Sequence, residues 1–424
     1  MRARWLVLAL TACATSERMG DRVNPETPLW YTHPSGDLDV FARRQLTMDT
    51  RVAGEPYEHG RPELDTAHNR VFVGSSDRGL YALRSSNLST IWRFETANIV
   101  QCEPLYDREL DVVYFGSNDG GLYAVRASDG VLVYRFNSGF EIGKKPVLYG
   151  ESLIFANASD QLFSIERRTG KLQWQVHRSP AAGMELAGYS GPALDHGKVY
   201  FAFSDGHVGA FDARDGSEKW SPVDLAAEAE QSSGDQTQRY LDVDTTPIVA
   251  DVAPIGRVVF VASYTGGVHA LDAENGSRVW VNEKVVGVND LLYFVQRAHQ
   301  PHPSGPDTGG PRVPEKRLLF ASSAQTGFWA LDPTNGHQVW RLPIPEGGIT
   351  APATVAGAIV FGSSRYGLFL INPENGRVID GIDTDTGFSA TPATFGNRAY
   401  VLSNTGAMLA IGIDTPLGKR PEAK

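Results

Sequence analysis

Two cysteines, at positions 13 and 102, are the only thiols in the 424-residue chain, and they are not adjacent. Cys102 lies in QCEPLY ahead of an apolar run and reads as a small buried thiol rather than a reactive one. His299 and His302 stand three apart in AHQPHPSGPDTGGPRVPEK (298–316), a Pro/Gly-dense loop with no cysteine or paired carboxylate close by, so they read as polar loop residues rather than metal ligands. The sequence carries no Gly-rich phosphate loop and no G-x-S-x-G. The expectation is therefore a chain without catalytic residues, bound metal or cofactor, whose work is recognition.

Recognition needs a scaffold, and the sequence repeats one. RVVFVASYTGGVHALDAENGSRVW (257–280) is the clearest copy: a β-branched apolar run, a glycine-bearing bend, an alternating strand, a turn ending in glycine and a third strand. Three such strands bury too little to stand alone, so the unit must stack on copies of itself. The residue closing the middle strand sets the register: Leu83, Val125, Ile165, Phe211, Leu271, Leu331, Ile371 and Ile411. Successive differences of 42, 40, 46, 60, 60, 40 and 40 define eight repeats with a period near forty, two of them expanded. The third strand carries an aromatic at Trp92, Tyr134, Trp174, Trp220, Trp280 and Trp340, with Ile379 expected at that place in the seventh copy. Short strands at this period specify an all-β, eight-bladed β-propeller of four-stranded antiparallel blades.

The eighth copy, 388–413, ends before its aromatic outer strand. An isolated aromatic segment, PLWYTH (28–33), stands near the other terminus, so Trp30 is expected to complete the last blade and leave no sheet edge unpaired at the closure. The domain reading is a signal peptide at 1–12, a polar tether at 13–27, one propeller at 28–413 and a tail at 414–424. A propeller escapes the size limit of a single core by adding blades.

The basic MRAR (1–4) and apolar WLVLALTA (5–12) form a segment too short to span a bilayer, which needs about 20 apolar residues. Leu10-Thr11-Ala12-Cys13 resembles the lipobox of bacterial lipoproteins, in which the cysteine is acylated and becomes the mature N-terminus. Ala14 stands where an Asp would favour inner-membrane retention in enterobacteria, so an outer-membrane anchor facing the periplasm is expected. With Cys13 acylated, Cys102 has no partner and the fold uses no disulfide.

A formal net charge of −10, without any cluster of Lys and Arg, argues against a nucleic-acid partner. Two insertions break the period: 221–247, containing the short helical candidate LAAEAEQ, and 298–316.

Three stretches narrow the reading. RYLDVDTTPIV (239–249), the blade beginning VVFVAS (258–263) and VGVNDLLYFV (286–295) resemble the corresponding parts of the BamB family, lipoproteins of the outer-membrane β-barrel assembly machinery. The blade pattern recurs in many propellers of the pyrroloquinoline-quinone-like repeat type, whereas DVDTTP followed by VND is much narrower. The resemblance covers essentially the whole mature chain, including the ending GFSATPATF…LAI. It implies a scaffold that binds the periplasmic POTRA domains of BamA, the barrel-inserting subunit, with unfolded outer-membrane proteins as further partners. The family's acidic pair falls on Asp242 and Asp244, and its apolar-basic loop on MELAGYSGP (184–192), with Met184 and Leu186 on the apolar positions. Ala187 stands where the family usually has arginine. Asp242 and Asp244 also read as turn caps that satisfy backbone N–H groups where the strand begins.

Two other classes share the repeat. Quinoprotein dehydrogenases use adjacent cysteines over the quinone, a calcium site and an aspartate base, a pattern that Cys13 and Cys102 do not match. An envelope sensor or solute-binding propeller is compatible with the repeats alone.

Overall fold

Within each blade every strand pairs antiparallel with its sequence neighbour, with one exception, where the last blade reaches back to the start of the chain for its outer strand. The structure, a computed structural model of the full chain, describes residues 36–47, 58–178, 190–225, 243, 245–296, 315–344, 347–383 and 387–414. Among these residues there is no helix, and the strands form eight four-stranded sheets. Blades 1 to 7 span 63–95, 105–137, 147–177, 193–224, 248–282, 288–342 and 353–382. Blade 8 comprises 393–413 together with Leu38–Gln45. The innermost strands of blades 1 and 8 touch, which closes the ring.

All eight register residues lie on the third strand of their blade, and each pairs with the middle of the second strand, as Val71 does with Leu83 and Ala399 with Ile411. A bulge follows at the same place in seven blades, from Ala82/Leu83 to Leu370/Ile371. Such a bulge strengthens local twist and turns the outer strand toward the next blade. The hydrophobic core follows the same logic. It divides into eight clusters, each shared by two neighbouring blades, so the core lies in the joints and not within any one sheet.

Six joints are built alike. Trp92, Tyr134, Trp174, Trp220, Trp280 and Trp340 each lie against the turn glycine of the following blade, namely Gly130, Gly170, Gly216, Gly276, Gly336 and Gly376. These glycines have φ between +71° and +75°, and a Cβ on any of them would come within 2.4–2.8 Å of the aromatic ring. Glycine is required there twice over, for backbone handedness and for space. The ring's polar atom bonds a carbonyl in the same turn: Trp92 Nε1 to Ala127 O at 2.9 Å, Tyr134 Oη to Arg167 O at 3.0 Å, Trp340 Nε1 to Pro373 O at 3.0 Å. At Trp220 the matching carbonyl, Ala273 O, accepts from the Tyr200 hydroxyl at 3.0 Å, and the indole N–H is left without a partner. Each buried aromatic removes roughly 150–250 Å² from water, an upper bound near 4–6 kcal/mol per joint.

Three expectations need correction. The strand that completes blade 8 is Leu38–Gln45, paired with Ala407–Ile413, and PLWYTH (28–33) lies outside the described residues. In the seventh blade the residue in register with the aromatics is Asp380, opposite Leu370, and not Ile379. The first insertion also begins later than expected, because Ser221 to Asp224 continue the outer strand of blade 4, and LAAEAEQ falls outside the described residues after Leu225. The second insertion separates the first two strands of blade 6, Val288–Gln296 and Lys316–Ser323; His299 and His302 lie outside the described residues.

Candidate partner-binding surface

The four residues expected to contact a partner, Met184, Leu186, Asp242 and Asp244, lie outside the described residues, as does Cys13. Their flanks are described, and the flanks meet. The Gly191 N–H donates to Thr246 Oγ1 at 3.0 Å, which ties the end of MELAGYSGP to DVDTTP across 55 residues of sequence. Thr245 is fully buried. Its hydroxyl accepts from the Ala262 N–H at 2.8 Å and donates to Ala262 O at 3.1 Å, so the side chain replaces one rung of the blade 5 ladder. Val243 is buried with Trp220 and Leu225 of blade 4 and Val259 of blade 5. Ser190 completes the corner, donating to Gly191 O at 2.8 Å and accepting from the Ala202 N–H at 3.4 Å. The two stretches that the resemblance singles out are thus anchored at one corner of the ring, between blades 4 and 5.

Charged staples hold the blades on either side of this corner. Arg257 of blade 5 grips the Asp195 carboxylate of blade 4, and Lys198 Nζ lies 2.6 Å from Glu274 Oε2. The Arg257 guanidinium holds the Asp195 carboxyl below its ordinary range. Between blades 2 and 3 the buried Arg167 reaches Asp107 Oδ2 at 2.9 Å and both Glu109 and Glu151 at 2.7 Å. Arg70 of blade 1 bridges Asp65 at 2.8 Å and Asp111 of blade 2 at 2.6 Å, with its guanidinium over the Tyr106 ring. These side chains are spent on holding blade to blade.

Cys102 is fully buried, and its thiol donates to Glu103 O at 3.2 Å and Lys144 O at 3.1 Å. Burial pushes the thiol up to about 12, which leaves no thiolate for nucleophilic work near neutral pH. Among the described residues no three His, Cys, Asp or Glu side chains group closely enough to hold a metal ion.

Residues 104–340 and 300–418 match the family described as "Outer membrane protein assembly factor BamB". The chain belongs to the BamB family. The outer membrane protein assembly factor BamB of Legionella pneumophila (strain Paris) is 24% identical over 234 residues, 55% of this chain and 53% of the relative. That of Yersinia pestis is 23% identical over 268 residues, 63% of this chain and 60% of the relative. The match thus spans little more than half the length of these relatives. Among solved structures, BamB from Moraxella catarrhalis superposes with a TM-score of 0.66 at 18% identity, covering 89% of this chain and all 100% of that one. Quinohemoprotein alcohol dehydrogenase from Comamonas testosteroni superposes almost as well, with a TM-score of 0.65 at 15% identity over 92% of this chain and 78% of the other. At these identities the superpositions speak for the BamB-type propeller fold and not for an activity.

Sequence reasoning about the site missed Asp290, although the VND that contains it was noticed, and it missed Asp380. A buried aspartate at a position that other repeats give to an apolar or aromatic residue is the signal that would have found Asp380.

Proposed function

We propose that this chain is a non-enzymatic scaffold of the outer-membrane β-barrel assembly machinery, docking on the POTRA domains of a BamA-type subunit while anchored to the outer membrane by lipid on Cys13. The observation that carries the reading is the Gly191 to Thr246 bond, because it makes one corner of two stretches that the family resemblance assigns separately to the contact. Asp242 and Asp244 supply the acidic part of that surface, facing Arg or Lys on the partner, and Met184 and Leu186 the apolar part. Ala187 removes a cation from it, so the partner's complementary surface needs no acidic group at that point. Unfolded outer-membrane proteins are the further clients of such a scaffold.

The test is a binding titration of the lipid-free propeller against the POTRA domains, run beside a thermal melt of the same samples. The expected result for Asp242→Ala with Asp244→Ala is at least a tenfold loss of affinity, a central desolvated carboxylate costing a few kcal/mol on truncation, with an unchanged melting temperature. A double variant that binds normally but loses about 1–2 kcal/mol of stability per residue would make the aspartates turn caps and remove them from the interface.

A further inference from the structure

The inner strands carry a feature that the partner surface does not use. In each blade one inner-strand residue pairs with the middle of the second strand: Leu64, Tyr106, Leu148, Leu194, Val249, Tyr293, Thr354 and Thr394. Three residues earlier stand Arg61, Glu103, Lys145, Gly191, Thr246, Asp290, Ala351 and Thr391, equivalent positions that form a collar where the inner strands ring the axis. A proline follows in seven blades; blade 6 has Leu291 instead, and its inner strand continues through Asp290 with a bulge at Asn289.

The collar's charge is lopsided. On blades 1 to 3 the side chains form a chain of ion pairs: Arg61 Nη1 to Glu103 Oε2 at 3.2 Å, Lys145 Nζ to Glu103 Oε1 at 2.8 Å, and Lys145 Nζ to Glu63 Oε2 at 2.8 Å. On blades 4 to 8 the collar is uncharged except for Asp290. Glycine at 191 keeps the rim open beside the Lys144 stem, since a Cβ there would come within 3.2 Å of Lys144 Cβ. The charges felt by Asp290 are Lys144, Arg61 and Glu103, all on the blade 1 to 3 side, so this carboxylate faces them across the axis. No hydrogen bond or ion pair among the described residues reaches it, and desolvation raises its carboxyl. Opposite, Arg61 Nε is buried without a hydrogen-bond partner.

The half-buried Asp290 carboxylate is left to solvent, whereas the buried Arg61 N–H without a partner costs the fold stability. Collapse onto each other would have satisfied both, and the rigid ring prevents it. A molecule that carries an ammonium at one end and a carboxylate at the other satisfies both at once. We propose that the collar binds a small zwitterion of the α-amino-acid or short-peptide class, its ammonium on Asp290 and its carboxylate on Arg61 with Lys144 alongside.

The experiment is isothermal titration of the full-length lipid-free chain with glycine and with glycylglycine, with acetate and methylamine as single-charge controls. The expected result is saturable binding of at least one zwitterion, no saturation by either control, and a loss of affinity of tenfold or more in both Asp290→Asn and Arg61→Met. A melt of each free variant is run in parallel; Asp290→Asn is expected to melt no lower than the parent, because it removes a charge that no hydrogen bond or ion pair compensates. Absence of saturable binding by either zwitterion in the parent would overturn the proposal, as would folded variants that bind like the parent. Tight binding of glycine with none of glycylglycine would narrow the ligand to free amino acids. None of these outcomes depends on the POTRA contact.

Discussion

Six joints of the ring are interchangeable and two are not, and the two that differ flank blade 8. At a regular joint a large aromatic lies on a left-handed glycine of the next blade. Between blades 7 and 8 the aromatic's register position is held by the buried Asp380. Its Oδ2 instead accepts the Leu38 N–H at 2.9 Å, at the first residue of the closing strand. Between blades 8 and 1 the aromatic's register position is Ala42, and the turn position of blade 1 is Leu88, fully buried at φ +58°. Leu88 and Ala42 share one hydrophobic cluster, so a large side chain on the turn fills the space that a small one on the strand leaves. The volume at a joint is conserved even where the residue that supplies it changes sides.

The largest effect that would break this comparison is removal of the closing strand. Deleting residues 38–45 takes away the pairing with 407–413 and the Asp380 contact together, and leaves an open edge on blade 8. The deletion variant is expected to melt early and to associate on size-exclusion chromatography. A monomeric variant with the parent's melting curve would mean that the ring does not depend on this seam.

Trp340→Ala tests a regular joint without opening the ring. It should cost about 3–5 kcal/mol in denaturant unfolding, the range for emptying a buried aromatic site, and the protein should stay monomeric.

The sharper test converts the irregular joint into a regular one. Ala42→Trp alone overpacks the cluster, and Leu88→Gly alone empties it, so each should destabilise the ring. Together they recreate the Trp-on-Gly pair, and the double variant should be more stable than the sum of the single effects by about 0.5–3 kcal/mol. Strict additivity in that cycle would show that the two residues do not exchange volume.

The smallest expected effect is at Asp380. Asp380→Ala leaves the Leu38 N–H without its acceptor and should cost about 1–3 kcal/mol, less than the tryptophan loss at a regular joint.

The same comparison explains which parts of the fold were legible in the sequence. The eight register residues and six aromatics stood out because every regular joint asks for the same volumes at the same spacing. The seam was misread for the corresponding reason. The repeat asks for an outer strand with an aromatic, which points to Trp30, whereas the strand LDVFARRQ (38–45) carries Ala42 at that register position, where Leu88 fills the gap. Ile379 stands eight residues after Ile371, whereas all six aromatics stand nine after their register residues; the ninth residue is Asp380, and the hydrogen bond from Leu38 accounts for a buried carboxylate there. At the candidate surface the stretches were recognisable from type and order, but their meeting rests on the Gly191 to Thr246 bond, a long-range contact that no local pattern encodes.

The closing strand also sets a timetable. Leu38 pairs with Ile413, and 413 − 38 puts the two partners 375 positions apart in the chain. At about 5–20 residues per second of synthesis, this strand waits roughly 20–75 s for its partner to exist. Seven blades can form by local pairing as they emerge, but the circle closes only after the final blade is complete. For all of that interval the newborn protein is an open arc whose two ends each lack a neighbour, and any factor that shields nascent chains would have to act on those ends.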